Sequence, residues 1–386
     1  RTRPRSDTLR GGAGGVRHSR FAGDRLEGRW ALTIPVTSRA LSVLASLGDI
    51  VLDLSGEAAT ATGSSVRRRW NAGVRWVPFP FLDLRASVGR ESVEPTFDQL
   101  HGAQVEVITR MFDFMRQEYV QPIRIFGGNP ALSGGSIRNL SLNALLRPFA
   151  GNLATFNVGY RRQEVRGGIW SFPMLTPDLE AAFPERIRRD SDGRLLAIDA
   201  RPINISHDRT EVVASSLTLR YTQKPKAAGV ASQPLDGFRP WTVSLSLNHS
   251  WQLSSEAVIR PGLPALDRLQ DNGQPRHNVA LSLVAGRPGV GATLNGNWNS
   301  AAYVRSGGAA AEFRYAPSIL FNLTLFADLD QWIRRKEEKN WASGLRVSLD
   351  VQNVLNGYRK VSLRSGGTQR NYARDEIDPI RRTIRL

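Results

Sequence analysis

The feature of this sequence that most restricts its fold is the strict alternation of apolar and polar residues over long stretches. In the clearest stretch, Trp241 to Leu253, every second residue is Trp, Val, Leu or His, and the residues between are Thr, Ser, Asn and Gln, without one charge. A period of two places alternate side chains on opposite faces of a β-strand. We therefore expect a chain built from long strands with one apolar and one polar face.

The same alternation recurs along the whole chain and predicts about thirteen strands. They are expected at residues 26–36, 50–58, 68–77, 81–90, 137–146, 152–163, 211–222, 241–253, 278–286, 290–301, 318–329, 343–354 and 380–386. Most are near the length of about 9–11 residues with which a tilted strand crosses a bilayer. No apolar run reaches the length of about 18 residues that a transmembrane helix needs.

The connections between these strands alternate between long and short. Glu91–Ser136 and Glu164–Arg209 are long, whereas Arg147–Asn152 and Gly286–Gly289 are short. Outer-membrane barrels have long outer loops and short periplasmic turns. The fold class expected is therefore all-β: an antiparallel transmembrane β-barrel portion with strands in meander order. Two connections in the short class, Gln223–Arg239 and Asp330–Ala342, are longer than this pattern requires.

Composition narrows the classes of partner and chemistry. The net charge of +17 attracts nucleic acid, anionic lipid and lipopolysaccharide alike. The absence of cysteine rules out disulfides and thiolate metal sites. The five histidines have no metal-ligand spacing, and we find no catalytic or nucleotide-binding motif, so we predict no enzyme activity, no cofactor and no metal. The first residues, RTRPRSDTLRGG, lack the apolar segment of a secretory signal.

Four stretches carry a family resemblance. They are WVPFPFLDLRASVGRESVEPTFDQL (76–100), GGNPALSGGS (127–136), LTPDLEAAFPERIRRDSDGRLLAIDARPINIS (175–206) and LRVSLDVQNVLNGYRKVSLRSGGTQRNYARDEIDPIRRTIRL (345–386). In this order, with alternating strands between them, they resemble the C-terminal part of the barrel of TonB-dependent receptors. The domain expected is thus a partial receptor barrel over residues 1–386.

The resemblance implies a location and partners. Receptors of this family lie in the outer membrane of Gram-negative bacteria and take up a nutrient such as a siderophore, vitamin or glycan. They contact outer-membrane lipid and lipopolysaccharide, and TonB acts on a plug domain that precedes the barrel. No plug is recognisable here, so we expect a fragment whose TonB partner acts through a missing N-terminal plug. Nucleic acid is not an expected partner.

The densest charged segment predicts a ligand site in an outer loop. Arg186 to Arg194 reads RIRRDSDGR, and Asp199 and Arg201 follow. Arginine makes bidentate contacts to carboxylates and phosphates. The residues predicted to bind ligand are Arg188, Arg189, Asp190, Arg194 and Arg201. The alternative is a loop held together by its own salt bridges. Upstream, Thr176 and Pro177 predict the start of a short helix.

Large aromatic and basic residues also occupy regular positions on the strands. Tryptophans on the apolar face predict an aromatic belt at the membrane interfaces: Trp30, Trp76, Trp241, Trp251 and Trp298, with Trp70 beside them. The alternative is packing in a barrel core or a β-sandwich. Arginines on the polar face either line the pore or are neutralised by acidic residues of the plug: Arg69, Arg75, Arg85, Arg161, Arg220 and Arg346.

A different class of protein is also compatible with the alternation. A soluble all-β, arginine-rich binding protein for carbohydrate or nucleic acid would pack its apolar faces sheet on sheet. It would have shorter strands and salt-dependent binding of nucleic acid. The long uncharged alternation from Trp241 to Leu253 favours the barrel.

Overall fold

A computed structural model describes residues 25–39, 44–61, 66–113, 115–116, 118–173, 175, 177–224, 239–305, 312–329, 344–363, 373–378 and 380–386. The strands are β1 (Arg25–Thr37), β2 (Asp49–Ala61), β3 (Arg67–Phe79), β4 (Leu82–Val93), β5 (Val105–Ile108), β6 (Met111–Asp113), β7 (Glu118–Val120), β8 (Ile123–Phe126), β9 (Gly135–Leu146), β10 (Ala154–Arg166), β11 (Ile169–Trp170), β12 (Ile187–Arg189), β13 (Leu195–Asp199), β14 (Ile203–Asn204), β15 (His207–Thr222), β16 (Thr242–Val258), β17 (Leu266–Asp267), β18 (His277–Arg287), β19 (Val290–Asn299), β20 (Ala302–Arg305), β21 (Glu312–Tyr315), β22 (Ser318–Asp328), β23 (Arg346–Gln352), β24 (Val361–Leu363) and β25 (Thr383–Arg385). The helices are α1 (Phe97–His101), α2 (Pro177–Ala182), α3 (Arg268–Asp271) and α4 (Arg374–Ile377).

One large antiparallel sheet forms the wall of the molecule. Its strands follow the order β1-β2-β3-β4-β9-β10-β15-β16-β18-β19-β22-β23-β25, and β17 adds a short pairing to β16, which makes 14 strands. Along the described part of the chain, β1 and β25 are the two edges of this sheet. The expected fold class, a meander of about thirteen long strands, is confirmed. Each connection between the long strands joins one strand to its neighbour in the sheet.

The alternation seen in the sequence gives the wall two chemically different faces. We call the face that carries Trp76, Leu142, Phe156 and Leu247 the apolar face; each of these side chains is at least 36% exposed. The polar face carries paired amides and hydroxyls, such as Asn143 Nδ2 to Asn157 Oδ1 at 2.8 Å. Large apolar side chains on a free surface of this extent mark an interface rather than ordinary solvent exposure.

Connections of different length emerge at opposite ends of the wall. On the short-turn side they are residues 80–81, 147–153 and 288–289, with longer ones at 38–48, 223–241 and 329–345. On the loop side they are residues 94–134, 167–206, 259–276, 300–317 and 353–382, with a short one at 62–66. In the two-residue turn between β18 and β19, Pro288 fixes φ and Gly289 adopts φ +93°, so Arg287 pairs directly with Val290.

The two longest loops are folded, although their sequences suggest irregular chain. Residues 94–134 and 167–206, together called the loop module, form a four-stranded sheet of order β12-β13-β8-β5, a β6–β7 hairpin and the β11–β14 pair. These strands have two to five residues, too few for alternation to be visible. Their pairing satisfies backbone groups that packing removes from water.

The principal buried cluster lies in the loop module, not in the wall. It includes Phe172, Leu179, Phe183, Ile198 and Ile205, each 6% exposed or less. Helix α2 contributes Leu179 and begins at Pro177, as the sequence predicts; the expected cap, Thr176, lies outside the described residues. No helix in the described ranges is long and apolar enough to cross a membrane.

Candidate ligand-binding surface on the loop side

The loop module is assembled from two chain segments that meet side by side. Strand β13 runs parallel to β8, so Ala197 pairs with Ile123 and Asp199 with Ile125. The amide of Asn129 adds a cross-connection, because its Nδ2 donates to the carbonyl of Pro202 at 2.8 Å. The two segments therefore form one folded unit above the loop side of the wall.

Arg189 is the main polar connection inside this unit. Its Nη1 and Nη2 donate to the two carboxylate oxygens of Asp113 at 2.7 and 3.0 Å. Its Nε and Nη2 donate to the carboxylate of Glu180 at 2.7 and 2.8 Å, and Nη1 also donates to the carbonyl of Gly193 at 2.8 Å. A guanidinium has five N–H donors, and these five bonds use all of them.

The hydrogen bonds between Arg189 and Asp113 shift the pKa values of both groups in the direction that favours their charged forms. Asp113 is only 1% exposed, and the hydrogen bonds from Arg189 hold the pKa of its carboxyl below the usual value. The same pairing with Glu180 and Asp113 raises the pKa of Arg189 further above its already high ordinary value. Arg189 was predicted to bind ligand; the structure places it inside the loop module, with no donor left for a ligand.

Arg201 is also engaged within the module. Its Nε and Nη2 donate to the carboxylate of Asp199 at 2.8 and 2.6 Å. Arg186, which precedes β12, donates to the carbonyls of Asp199 and Arg201 and lies 5.7 Å from the ring of Phe172. These contacts correspond to the alternative of a loop held by its own salt bridges.

The other three predicted ligand residues surround an exposed turn. Asp190 closes it: its Oδ1 accepts from the backbone N–H of Asp192 at 3.0 Å and of Arg194 at 2.8 Å, and Gly193 adopts φ +78°. Arg188 and Arg194 are exposed beside this turn. Within the described residues, neither guanidinium has an ion pair or a hydrogen bond. Both are therefore free to contact a ligand.

The β6–β7 hairpin, which the sequence did not point to, lies against this turn. Arg116 Nη1 donates to the carbonyl of Asp192 at 2.5 Å, and Arg110 lies 5.0 Å from the ring centre of the exposed Tyr119. Arg110, Arg116, Tyr119, Arg188 and Arg194 are together called the tip surface. The hairpin sequence offered no signal beyond one more charged stretch.

The polar face of the wall balances most of its own charge. Asp83 accepts hydrogen bonds from Arg75 and Arg85 at 2.8–3.1 Å. Arg69 lies 3.8 Å from Glu91, and Arg346 lies 3.6 Å from Asp328 and stacks over Phe326. Of the arginines predicted on this face, Arg161 and Arg220 have no ion pair among the described residues.

Comparison with protein-family models decides the family. Residues 53–354 match the model described as TonB dependent receptor-like, beta-barrel. The chain belongs to this family. The family consists of receptors, so the expectation that the chain is not an enzyme is confirmed, and the barrel assignment replaces the alternative of a soluble binding protein.

Solved structures of receptors show the same fold at low sequence identity. Two mutant forms of the ferric enterobactin receptor PfeA of Pseudomonas aeruginosa superpose with TM-scores of 0.53 and 0.52, each at 14% identity, covering 89% and 88% of this chain. A third mutant, in complex with enterobactin, gives 0.50 at 13% identity over 89% of this chain. The chain spans about 40% of the length of these receptors. No curated protein matches its sequence.

The tryptophans of this receptor barrel lie near both ends of the wall. Trp76 and Trp241 are near the short-turn side, Trp30 and Trp70 are nearer the loop side, and Trp251 lies in the middle of β16; all five are 39–57% exposed. Trp298 is half-buried at the loop end of β19, opposite Ile319. Apart from Trp251, these positions are the ones expected of two interface belts, and contact with lipid stays a prediction.

The histidines of the wall form a stack rather than a metal site. His249 Nε2 lies 3.1 Å from His277 Nδ1, and the His277 ring stacks on Trp251 with centroids 5.6 Å apart. Among the residues described, no three His, Asp or Glu side chains are grouped to hold a metal ion. His249 therefore takes part in packing on the apolar face.

Proposed function

We propose that this chain is the C-terminal barrel portion of an outer-membrane receptor of a Gram-negative bacterium that takes up a ferric siderophore. The observation that carries the proposal is the tip surface. A rigid loop module, internally connected by Arg189, presents the free guanidinium groups of Arg188 and Arg194 beside Arg116, Arg110 and the exposed ring of Tyr119.

The chemistry of these side chains matches an anionic chelate with aromatic or oxygen-rich arms. Guanidinium groups donate paired hydrogen bonds to carboxylate and phenolate oxygens, and these charge-assisted bonds are about twice as strong as neutral ones. An exposed tyrosine adds a flat surface for stacking at a small entropic cost. Arg116 is paired with Glu118 at 2.8 Å, but a neutral glycan or vitamin would leave the positive charges of Arg188 and Arg194 uncompensated. A siderophore therefore fits better than either of these.

The solved relatives support the same ligand class. All three are ferric enterobactin receptors, and one of them was solved in complex with enterobactin. At 13–14% identity this likeness establishes the fold alone, so the ligand class of this chain rests on the tip surface.

We also propose that the membrane contacts, the lumen and the energy coupling of this receptor are those of the family. The apolar face of the wall contacts outer-membrane lipid and lipopolysaccharide, the polar face lines the lumen, and TonB acts through an N-terminal plug domain to release the ligand inward. The loop side faces the exterior, and the short-turn side faces the periplasm.

Binding and uptake of ferric enterobactin test the proposal. The full-length receptor is expressed in cells that lack other siderophore receptors, either unchanged or as Arg188→Gln with Arg194→Gln. We expect the double variant to bind the probe at least about tenfold more weakly, because each lost charge-assisted bond is worth roughly 1.5–3 kcal/mol.

Arg147→Gln is the matched control, because Arg147 is exposed on the short-turn side. It is expected to leave binding unchanged. Equal binding by the double variant and the unchanged receptor would overturn the tip surface as the ligand site. Uptake that continues without TonB would overturn the transport mechanism.

A further inference from the structure

A band of charged side chains interrupts the apolar face near the loop side. On β4, residues Leu82, Leu84, Ala86 and Val88 share this face, and the next residue on it is Arg90. On β9, the apolar face likewise ends at Arg138, after Leu140. The inter-strand register places these ends level with one another. From β3 to β15 the row of facing residues is Trp70, Arg90, Arg138, Glu164 and Arg209.

The continuous register shows that these side chains lie on the apolar face. The β4–β9 pairing runs without a shift from Leu82 to Val93, so Arg90 shares a face with Val88, and Arg138 shares one with Leu142. Val88 and Leu142 are each 45% exposed. The residue after Arg90, Glu91, is on the polar face, where it pairs with Arg67 at 2.8 Å.

In one half of the row, each charged side chain is paired with a neighbour on its own strand. Glu164 accepts hydrogen bonds from Arg166 at 2.8 Å and Arg162 at 3.4 Å, and Arg209 pairs with Glu211. The oxygens of Glu164 are thereby occupied, although its backbone lies opposite Arg138. The carboxylates on β10 and β15 are thus used by the arginines of those two strands.

The other half of the row carries uncompensated positive charge. Arg90 and Arg138 are directly opposite each other, both exposed, and neither has an ion pair among the described residues. Arg68, also exposed and on the same face, lies one diagonal step from Arg90. Directly opposed like charges destabilise a sheet, because facing Cβ atoms are only about 4.5–5.5 Å apart. An anion held between them removes this cost.

We propose that Arg68, Arg90 and Arg138 bind the phosphate of a phosphorylated glycolipid in the outer leaflet. The acyl chains of that lipid lie on the apolar band that begins immediately below, at Val88 and Leu140. This inference rests on the proposed location in the outer membrane. The position of the arginines, directly beyond the apolar residues and level with Trp70, is that of a lipid head group rather than of a diffusing ligand.

Lipid retention by the purified full-length receptor tests the site. The probe is bisphosphorylated lipid A in mixed detergent micelles, and bound lipid is counted by native mass spectrometry. We expect Arg90→Gln with Arg138→Gln to retain at least about tenfold less lipid, because two charge-assisted contacts are lost. The matched control is Arg67→Gln with Arg69→Gln, which removes two arginines at the same level from the polar face and is expected to retain the lipid.

Three further arms identify what is bound. Lipid A without phosphate is expected to bind weakly to the unchanged receptor. Its retention should equal that of bisphosphorylated lipid A by the double variant. Inorganic phosphate at equal concentration is expected not to displace the lipid. Both Arg→Lys replacements together are expected to retain part of the binding, because the charge remains. Equal retention by the double variant, equal binding of the phosphate-free lipid, or displacement by inorganic phosphate would each overturn the proposal.

This test is separate from the test of the proposed function. Lipid binding is measured on isolated receptor, and ferric enterobactin binding is measured with the same preparations. Loss of lipid with ferric enterobactin binding intact supports the lipid site on its own. Intact lipid binding without any affinity for ferric enterobactin would instead count against the proposed ligand alone.

Discussion

Arg189 and Asp113 are 76 positions apart in the sequence, yet they form a bidentate ion pair in which Asp113 is 1% exposed. This pair joins the β6–β7 hairpin to the turn after β12. The Arg189 guanidinium therefore joins the two segments that carry the tip surface, in addition to the β8–β13 pairing and the contact of Arg116 with Asp192.

Replacement of Arg189 by Met should loosen the loop module without unfolding the wall. Asp113 and Glu180 would lose their shared partner, and removing one member of a buried pair costs up to about 3–5 kcal/mol; the 18% exposure of Arg189 argues for the lower end. Hydrogen exchange should rise in residues 105–126 and 187–199 and stay unchanged in β16 and β18. Arg381→Gln, which breaks an exposed pair with Asp375, is the control and should change neither region. Unchanged exchange in the Arg189 variant would contradict the assigned role.

Acid should have a selective effect on the same module. Because Arg189 lowers the pKa of Asp113 below its usual 3.8, the pair stabilises the fold at pH values above 3.8. That contribution is lost as the pH falls through the lowered pKa. The chain has no cysteine, so Ser191→Cys gives a single site for a spin label. We expect the label to become mobile at acidic pH, and Asp113→Asn to show the mobile spectrum already at neutral pH. A label equally immobile at all these pH values would refute the linkage.

The two faces of the wall should respond differently to the same charge. Leu142 is on the apolar face of β9, and its neighbour Ser141 is on the polar face. Arginine on the lipid face of a barrel costs about 2–4 kcal/mol near the bilayer centre, whereas lumen positions tolerate it. Leu142→Arg should therefore lower the urea midpoint of the receptor in lipid vesicles, and Ser141→Arg should leave it nearly unchanged. The reverse order would mean that the faces are assigned the wrong way round.

The tight turn between β18 and β19 should control how fast this hairpin forms. Gly289 adopts φ +93°, a conformation that costs about 1–2 kcal/mol for a residue with a Cβ atom. Gly289→Val should slow folding into vesicles and lower stability by about that amount. Gly151→Val, also at positive φ but in the longer connection 147–153, should act more weakly, because seven residues can redistribute the backbone change that two residues cannot. Equal effects of the two substitutions would show that turn length is irrelevant.

The strands of the wall could be predicted because the alternation that specifies each strand lies within that strand. Each long strand contains several periods of alternation, as from Trp241 to Leu253, and a period of two has one structural interpretation. The loop module was not predictable in the same way. Its strands are too short to show a period, and β8 pairs with β13 across more than 70 positions.

The candidate site shows the same limit in individual residues. The cluster of arginines before Arg194 correctly indicated a charged loop. Its sequence did not reveal that Arg189 pairs with Asp113, because that partner lies in another loop. In the folded chain Arg189 has acidic partners, whereas Arg188 and Arg194 have none among the described residues. Sequence alone therefore located the charged segment without separating arginines that form ion pairs from those that have none.

We propose that the chain forms the wall of a receptor barrel that spans the outer membrane. The most direct test is a nitroxide scan of Trp241 to Leu253 in the full-length receptor in lipid vesicles, with one cysteine introduced at a time. We expect accessibility to oxygen to peak at the odd positions, which face lipid, and accessibility to a water-soluble nickel complex to peak at the even positions, which face the lumen. Equal access of the nickel complex to both sets of positions would contradict the account.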